Sequence, residues 1–175
     1  PADVIISSDA GTLYRFEAAG LTQPANSDVL DKVVPEHFRD PAGNWYGLTK
    51  RFRVIVYDPE RVTPKQVDEY ADLASADFDG EVCMRSSTNI YNLSLMGELI
   101  DRMGEDSAAA WARSVVENFA RPPQGGDTTQ IEAIAAGQCS VALVNHYYWV
   151  RMTQGSDTQR NTVEKTMLSF PQQDS

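Results

Sequence analysis

Residues 139–152 read CSVALVNHYYWVRM, and the change of pattern within them sets the architecture. CSVALVN (139–145) is a short apolar run closed by polar residues, as expected of a strand covered on both faces. The segment after it opens a helix. Neighbouring side chains of a strand point to opposite faces, so Tyr147 and Tyr148 could not both serve one cleft from within it. They can do so if the strand ends at Asn145 or His146 and the backbone turns helical there.

Working outward, the same alternation recurs. Strands are expected at DVIISS (3–8), KRFRVIVYD (50–58) and GEVCMRSS (80–87). GTLYRFEAAG (11–20) has helical spacing and ends on Gly20, a suitable C-terminal cap. TPKQVDEYADLA (63–74) reads as a helix with Thr63 as cap and Pro64 in the first turn. Amphipathic helices are expected at 94–104 and 105–120, and another at 128–137 with Asp127 as its cap. Alternating strands and helices predict an α/β layered fold with a largely parallel sheet. Ligands of such sheets bind beyond the carboxyl ends of strands, where helix N-termini also point. RSSTNIYN, GGDTTQ and NHYYWVR all fall at that edge.

The chain has 175 residues, 42% hydrophobic and 23% charged, enough for one good core or one lobe and part of another. Its net charge of −10 argues against nucleic acid and anionic lipid as partners, since both need basic patches. No apolar run approaches the roughly 18 residues that would span a membrane. PADVII enters an apolar stretch at once and TMLSFPQQDS stops just after another, so the sequence reads as an internal segment of a longer protein. A segment of that kind leaves apolar sheet edge open, and a homodimer is expected from it.

Tyr91 lies eight residues beyond Cys83, and Tyr147 eight beyond Cys139. Neighbouring strands would bring the tyrosines together at one end, beside Arg51, Arg85 and a helix N-terminus. Packing alone explains many tyrosines; convergence of three phenols at a strand edge points further. Phenolate is a hard anionic ligand that suits ferric iron better than zinc or copper(I). Nearby arginines lower the cost of removing the phenol protons.

GLTKRFRVIVYD, RSSTNIYNLSL, NFARPPQGGDTTQIEAIAAG and NHYYWVRM together resemble the periplasmic ferric-ion-binding proteins of bacterial iron-uptake ABC transporters. These belong to the transferrin-like, two-lobed solute-binding proteins, with the type II periplasmic-binding-protein fold. The resemblance implies that Tyr91, Tyr147 and Tyr148 ligate Fe³⁺ and that Arg51 helps hold a (bi)carbonate or other anion. Thr128 is a weaker anion candidate because it opens a helix at the same edge. Residues 1–56 would form part of one lobe with a hinge strand, and 57–175 the second α/β lobe. Family members usually supply a further His or Tyr ligand from upstream of this segment. The implied partner is an inner-membrane ABC permease and the implied compartment the periplasm, with no signal peptide in this segment. In that oxidising compartment a Cys83–Cys139 disulfide is expected; two buried thiols are the alternative.

Two other functions fit the same residues less well. A solute-binding protein of this fold could carry an oxyanion or another small molecule on its arginines. An enzyme using a tyrosine acid or base needs a second titrating group, and no Lys, His or carboxylate is placed to supply it.

Overall fold

The computed structural model describes residues 2–171, which form two compact units, one running up to Lys50 and the other starting at Arg51. In the first unit, helix α1 (Ala10–Ala18) is capped by Asp9, whose carboxylate accepts from Thr12 N at 2.8 Å, and Gly20 closes it at φ +67°. Helix α2 (Asp28–Val33) is capped by Ser27. DVIISS is not a strand: it is irregular, with Val4 and Ile6 78% and 90% exposed. An apolar run becomes a strand only where another strand satisfies its backbone, and among the described residues none pairs with it.

The second unit holds a four-stranded sheet in the order β2-β3-β1-β4. Its strands are β1 (Arg53–Tyr57), β2 (Val82–Cys83), β3 (Val141–Asn145) and β4 (Met167–Ser169). The expected largely parallel sheet is corrected by the pairing. Among the described strands β2 and β3 run parallel, and Val82 makes a further parallel bridge to Phe119, whereas β1 is antiparallel to both β3 and β4. Apolar pattern encodes burial and not strand direction, so the reversal of β1 left no mark in the sequence. It has a large effect on geometry, because Arg53 at the start of β1 lies opposite Asn145 at the end of β3.

Both faces of the sheet are buried, with period-two alternation. Ile55, Tyr57, Val141 and Leu143 pack with residues of helices α3 (Ile90–Met103) and α4 (Glu105–Glu117), including Leu95, Leu99 and Val115. Val54, Val56, Ala142 and Val144 face Ile131 and Ile134 of helix α5 (Asp127–Ala135). Helices α6 (His146–Thr153) and α7 (Asp157–Glu164) add Met152 and Val163 to that side.

Residues 63–74 do not form the expected α-helix. They break into 3₁₀ turns at Pro64–Gln66 and Tyr70–Ala74, with Thr63 and Gln66 forming a capping box. Val67, Tyr70 and Leu73 are buried at a spacing of three, which a 3₁₀ turn keeps on one side and an α-helix would rotate away. GEVCMRSS contributes a strand only at Val82–Cys83. Among the described residues no helix is long and apolar enough to cross a membrane.

Candidate functional site

β3 ends at Asn145, which is still extended at φ −80° and ψ 131°, and α6 begins at His146. Tyr147 and Tyr148 therefore leave the first turn of a helix, and their rings stack at 4.6 Å with a 30° tilt. Tyr91 sits in the first turn of α3, whose cap Asn89 accepts from Tyr91 N at 3.0 Å. The hydroxyls of Tyr147 and Tyr91 are 3.1 Å apart. All three tyrosines are half-buried.

The shared hydrogen bond splits the two phenols. Hydrogen bonding with Tyr147, then burial and hydrogen bonding with Tyr148, pushes Tyr91 well above the ordinary phenol value. Burial would raise Tyr147 too, but hydrogen bonding with Tyr91, Asn145 and Tyr148 and the positive charge of Arg51 outweigh it and hold its phenol below the ordinary value. Of this pair Tyr147 is the phenol more ready to ionise, with Tyr91 supporting its anion.

Cations surround the rings. The Cζ of Arg51 is 6.0 Å from the Tyr147 ring centroid, and that of Arg151 is 6.0 Å and 5.9 Å from the Tyr147 and Tyr148 centroids. Arg85 and Arg53 lie 5.2 Å and 5.9 Å from the Tyr91 centroid. Thr128 is half-buried in the first turn of α5, and among the described residues no hydrogen bond links it to the phenols. His146 is tied back to the sheet: Phe52 N donates to its Nδ1 at 3.2 Å and His146 N donates to Phe52 O at 3.0 Å.

Asp127 does not cap α5 as expected. Gly126 takes the cap position, and the Asp127 carboxylate is buried between two guanidinium groups, which outbid the helix N–H groups for it. Arg53 Nη1 donates to Oδ2 at 2.9 Å, Arg85 Nη1 to Oδ1 at 3.0 Å, and Asn145 N to Oδ2 at 2.7 Å. The loop before it is tightly built: Gly125 has φ +64°, and a Cβ there would come within 2.8 Å of Thr129. Arg53 also donates to Asn92 Oδ1 at 2.6 Å and Leu143 O at 3.1 Å. Asn145 Nδ2 donates onward to the Tyr147 hydroxyl at 3.3 Å. Arg53, Asn92, Asn145 and Arg151 escaped the sequence reading. An arginine heading an otherwise apolar strand was the available signal for Arg53.

Cys83 and Cys139 are joined in a disulfide beneath the site, both fully buried, with Cα atoms 5.9 Å apart. An apolar cavity of about 520 Å³ lies alongside, lined by Met84, Leu95, Met96, Trp111 and Phe119 among others; none of the three tyrosines lines it. Among the described residues no group of three or more His, Cys, Asp or Glu could hold a metal ion.

Residues 1–162 match the model of a family described as bacterial extracellular solute-binding protein. The chain is 43% identical over 175 residues to iron uptake protein A1 of Synechocystis sp. (strain ATCC 27184 / PCC 6803 / Kazusa), covering 99% of this chain and 49% of that protein. It superposes on the Trichodesmium IdiA (FutA) protein in complex with iron and citrate at a TM-score of 0.89, with 42% identity, over 93% of this chain and 52% of that one. The ferric binding protein from Campylobacter jejuni gives a TM-score of 0.92 at 34% identity, over 99% and 55%. The chain spans about half the length of the curated relatives it matches. These relatives are iron-uptake and ferric-binding proteins rather than enzymes, and the mixed α/β fold is theirs. This chain belongs to the bacterial extracellular solute-binding protein family.

Proposed function

We propose that the protein captures ferric iron in the periplasm through the phenolates of Tyr91, Tyr147 and Tyr148 and passes it to the permease of an ABC transporter. The observation that carries this reading is the meeting of the Tyr91 and Tyr147 hydroxyls at 3.1 Å, with Tyr148 stacked on Tyr147. Three oxygens so disposed offer a hard, anionic ligand set, and Fe³⁺ supplies the charge that keeps several phenols deprotonated near neutral pH. Arg51 favours the anionic form of Tyr147, and with Thr128 it is the group assigned here to an accompanying (bi)carbonate or other anion. Positions of the ion left open by the phenols are filled by that anion, by water or by groups outside residues 1–175. In the complete protein, residues 1–56 belong to one lobe together with a hinge strand, β1, that enters the sheet of the other lobe, 57–175. The oxyanion alternative is weaker, because Arg53 and Arg85 already have a carboxylate between them.

Loading the chain with ferric ion should give a visible phenolate-to-iron charge-transfer band. Acid should release the ion as the ligands regain their protons. Exchanging Tyr147 and Tyr148 together for Phe keeps the rings and removes the oxygens. Band and iron retention should then vanish while the fold stays intact; a double variant with wild-type colour and affinity would refute the assignment.

A further inference from the structure

Arg53 and Arg85 come from the start of β1 and the segment before α3, and both guanidinium groups lie against the ring of Tyr91. Two cations packed together without an anion would repel each other and draw one from solution. Here they find it inside the chain. The Asp127 side chain is 0% exposed, against 8% for Arg53 and 17% for Arg85, and it bonds both. The Nε atoms of both arginines are also buried and make no hydrogen bond, so the carboxylate is the charge that balances this pair. The carboxylate takes a third donor from Asn145 N, and Asn145 Nδ2 reaches the Tyr147 hydroxyl. Asn92, one residue past Tyr91, accepts from Arg53 and donates to Arg85 O. A single carboxylate thereby connects the segments that carry Tyr91 and Tyr147, and the first turn of α5 adds a favourable dipole to it.

We propose that Asp127 is a built-in counter-anion for Arg53 and Arg85, a positioning residue that lets this pair support the phenols without recruiting an anion from solution. The proposal rests on the ferric-site reading above. It assigns a dissolved anion in the wild type to the exposed side of the cluster, where Arg51 and Arg151 lie, because Asp127 already balances the charge of the buried pair. It makes Asp127 the residue that sets whether iron retention depends on phosphate-like anions. Removing its charge while keeping its shape, as in Asp127→Asn, leaves two guanidinium groups that only an external anion can balance.

The test loads the 175-residue chain with ferric ion and challenges it with a neutral hydroxypyridinone chelator, with and without inorganic phosphate. Both arms contain saturating bicarbonate, which fills the Arg51 side of the cluster, so wild-type retention is expected to change by less than about twofold on adding phosphate. Asp127→Asn should keep the charge-transfer band, lose about tenfold in retention without phosphate, and recover with it, the size expected of one charge-assisted contact. An Asp127→Asn chain as indifferent to phosphate as the wild type, or a wild type as sensitive as the variant, overturns the proposal alone. A wild type that holds no coloured ferric ion overturns the ferric reading and the proposal with it. Because Asp127→Asn can fail by unfolding, a second measurement stands apart from it. Inorganic phosphate is titrated into the metal-free wild type and into Arg85→Gln. Equal weak responses support the built-in anion; a wild-type affinity that falls tenfold in Arg85→Gln shows Arg85 holding an external anion, and refutes it.

Discussion

Up to Lys50, Val34 is the one buried hydrophobic side chain among the described residues, whereas from Arg51 onward both faces of a sheet are sealed by apolar packing. The first unit is stitched instead by polar contacts. Trp45 Nε1 donates to Glu17 at 3.1 Å, Asn44 N and Nδ2 to Asp40 at 3.0 Å each, and the Tyr46 hydroxyl to Ala25 O at 3.0 Å. Bonds of this kind contribute about 1 kcal/mol each and little more where water competes. Meanwhile Val29, Val33 and Leu48 stay exposed. The contrast locates the packed core in the second unit. All three tyrosines, their arginines and Asp127 belong to the unit with the core, and precise placement of a ligand set needs that support.

The sharpest way to test the contrast is to cut the disulfide. Cys83 and Cys139 close a loop with a sequence separation of 56, and losing such a closure costs about 4 kcal/mol in the chain-entropy model. Replacing both by Ala should lower the stability of the second unit by that order and leave the first alone. Trp45 reports on the first unit and Trp111 and Trp149 on the second, so variants keeping one tryptophan separate the two in a urea titration. Equal losses at both reporters would mean that the units unfold as one.

A smaller effect is expected from single cavities. Leu143 is 1% exposed at the centre of β3, and Leu143→Ala should cost about 3 kcal/mol. Val34→Ala, in a unit with no packed sheet, should cost about 1 kcal/mol or less, since its surroundings can collapse onto the gap. Similar losses at the two positions, read by the same tryptophan reporters, would show that the first unit has a core after all.

The sequence carried the second unit's core better than its topology. Val141–Val144 could be read as buried on both faces because every residue is apolar, and the turn into α6 because helical spacing starts at once. Strand direction has no such signature: β1 would have the same composition running either way. The 3₁₀ turns at 64–74 follow from burial of residues three apart, and that burial depends on neighbours distant in sequence. DVIISS shows the converse, apolar residues with local strand character and no partner. Tyr91, Tyr147 and Tyr148 stood out because phenols are uncommon in clusters. Arg53 and Asp127, 74 residues apart, did not, since a buried ion pair leaves each member looking like a surface charge.

The smallest effect concerns the phenols themselves, and it again sets the two units against each other. In the first unit, partial desolvation and the nearby Asp31 raise Tyr46 above the ordinary phenol value. In the second, Tyr91 is raised and Tyr147 lowered by their mutual hydrogen bond and surroundings. A metal-free alkaline titration followed by phenolate absorbance should show a phenol ionising below the ordinary value, and Tyr147→Phe should delete that step. The linkage has opposite signs at the two positions. Tyr147, with a lowered folded value, adds stability that is fully present above the unfolded value of about 10 and is lost as pH falls through its folded value. Tyr91, with a raised value, adds stability present below about 10 and lost as pH rises through its folded value. The gap in melting temperature between wild type and Tyr147→Phe should therefore widen as pH climbs toward about 10, while that for Tyr91→Phe narrows beyond it. If the first ionisation survives in Tyr147→Phe, the early phenol lies elsewhere, and the pairing of Tyr147 with Tyr91 does not divide their protons as described.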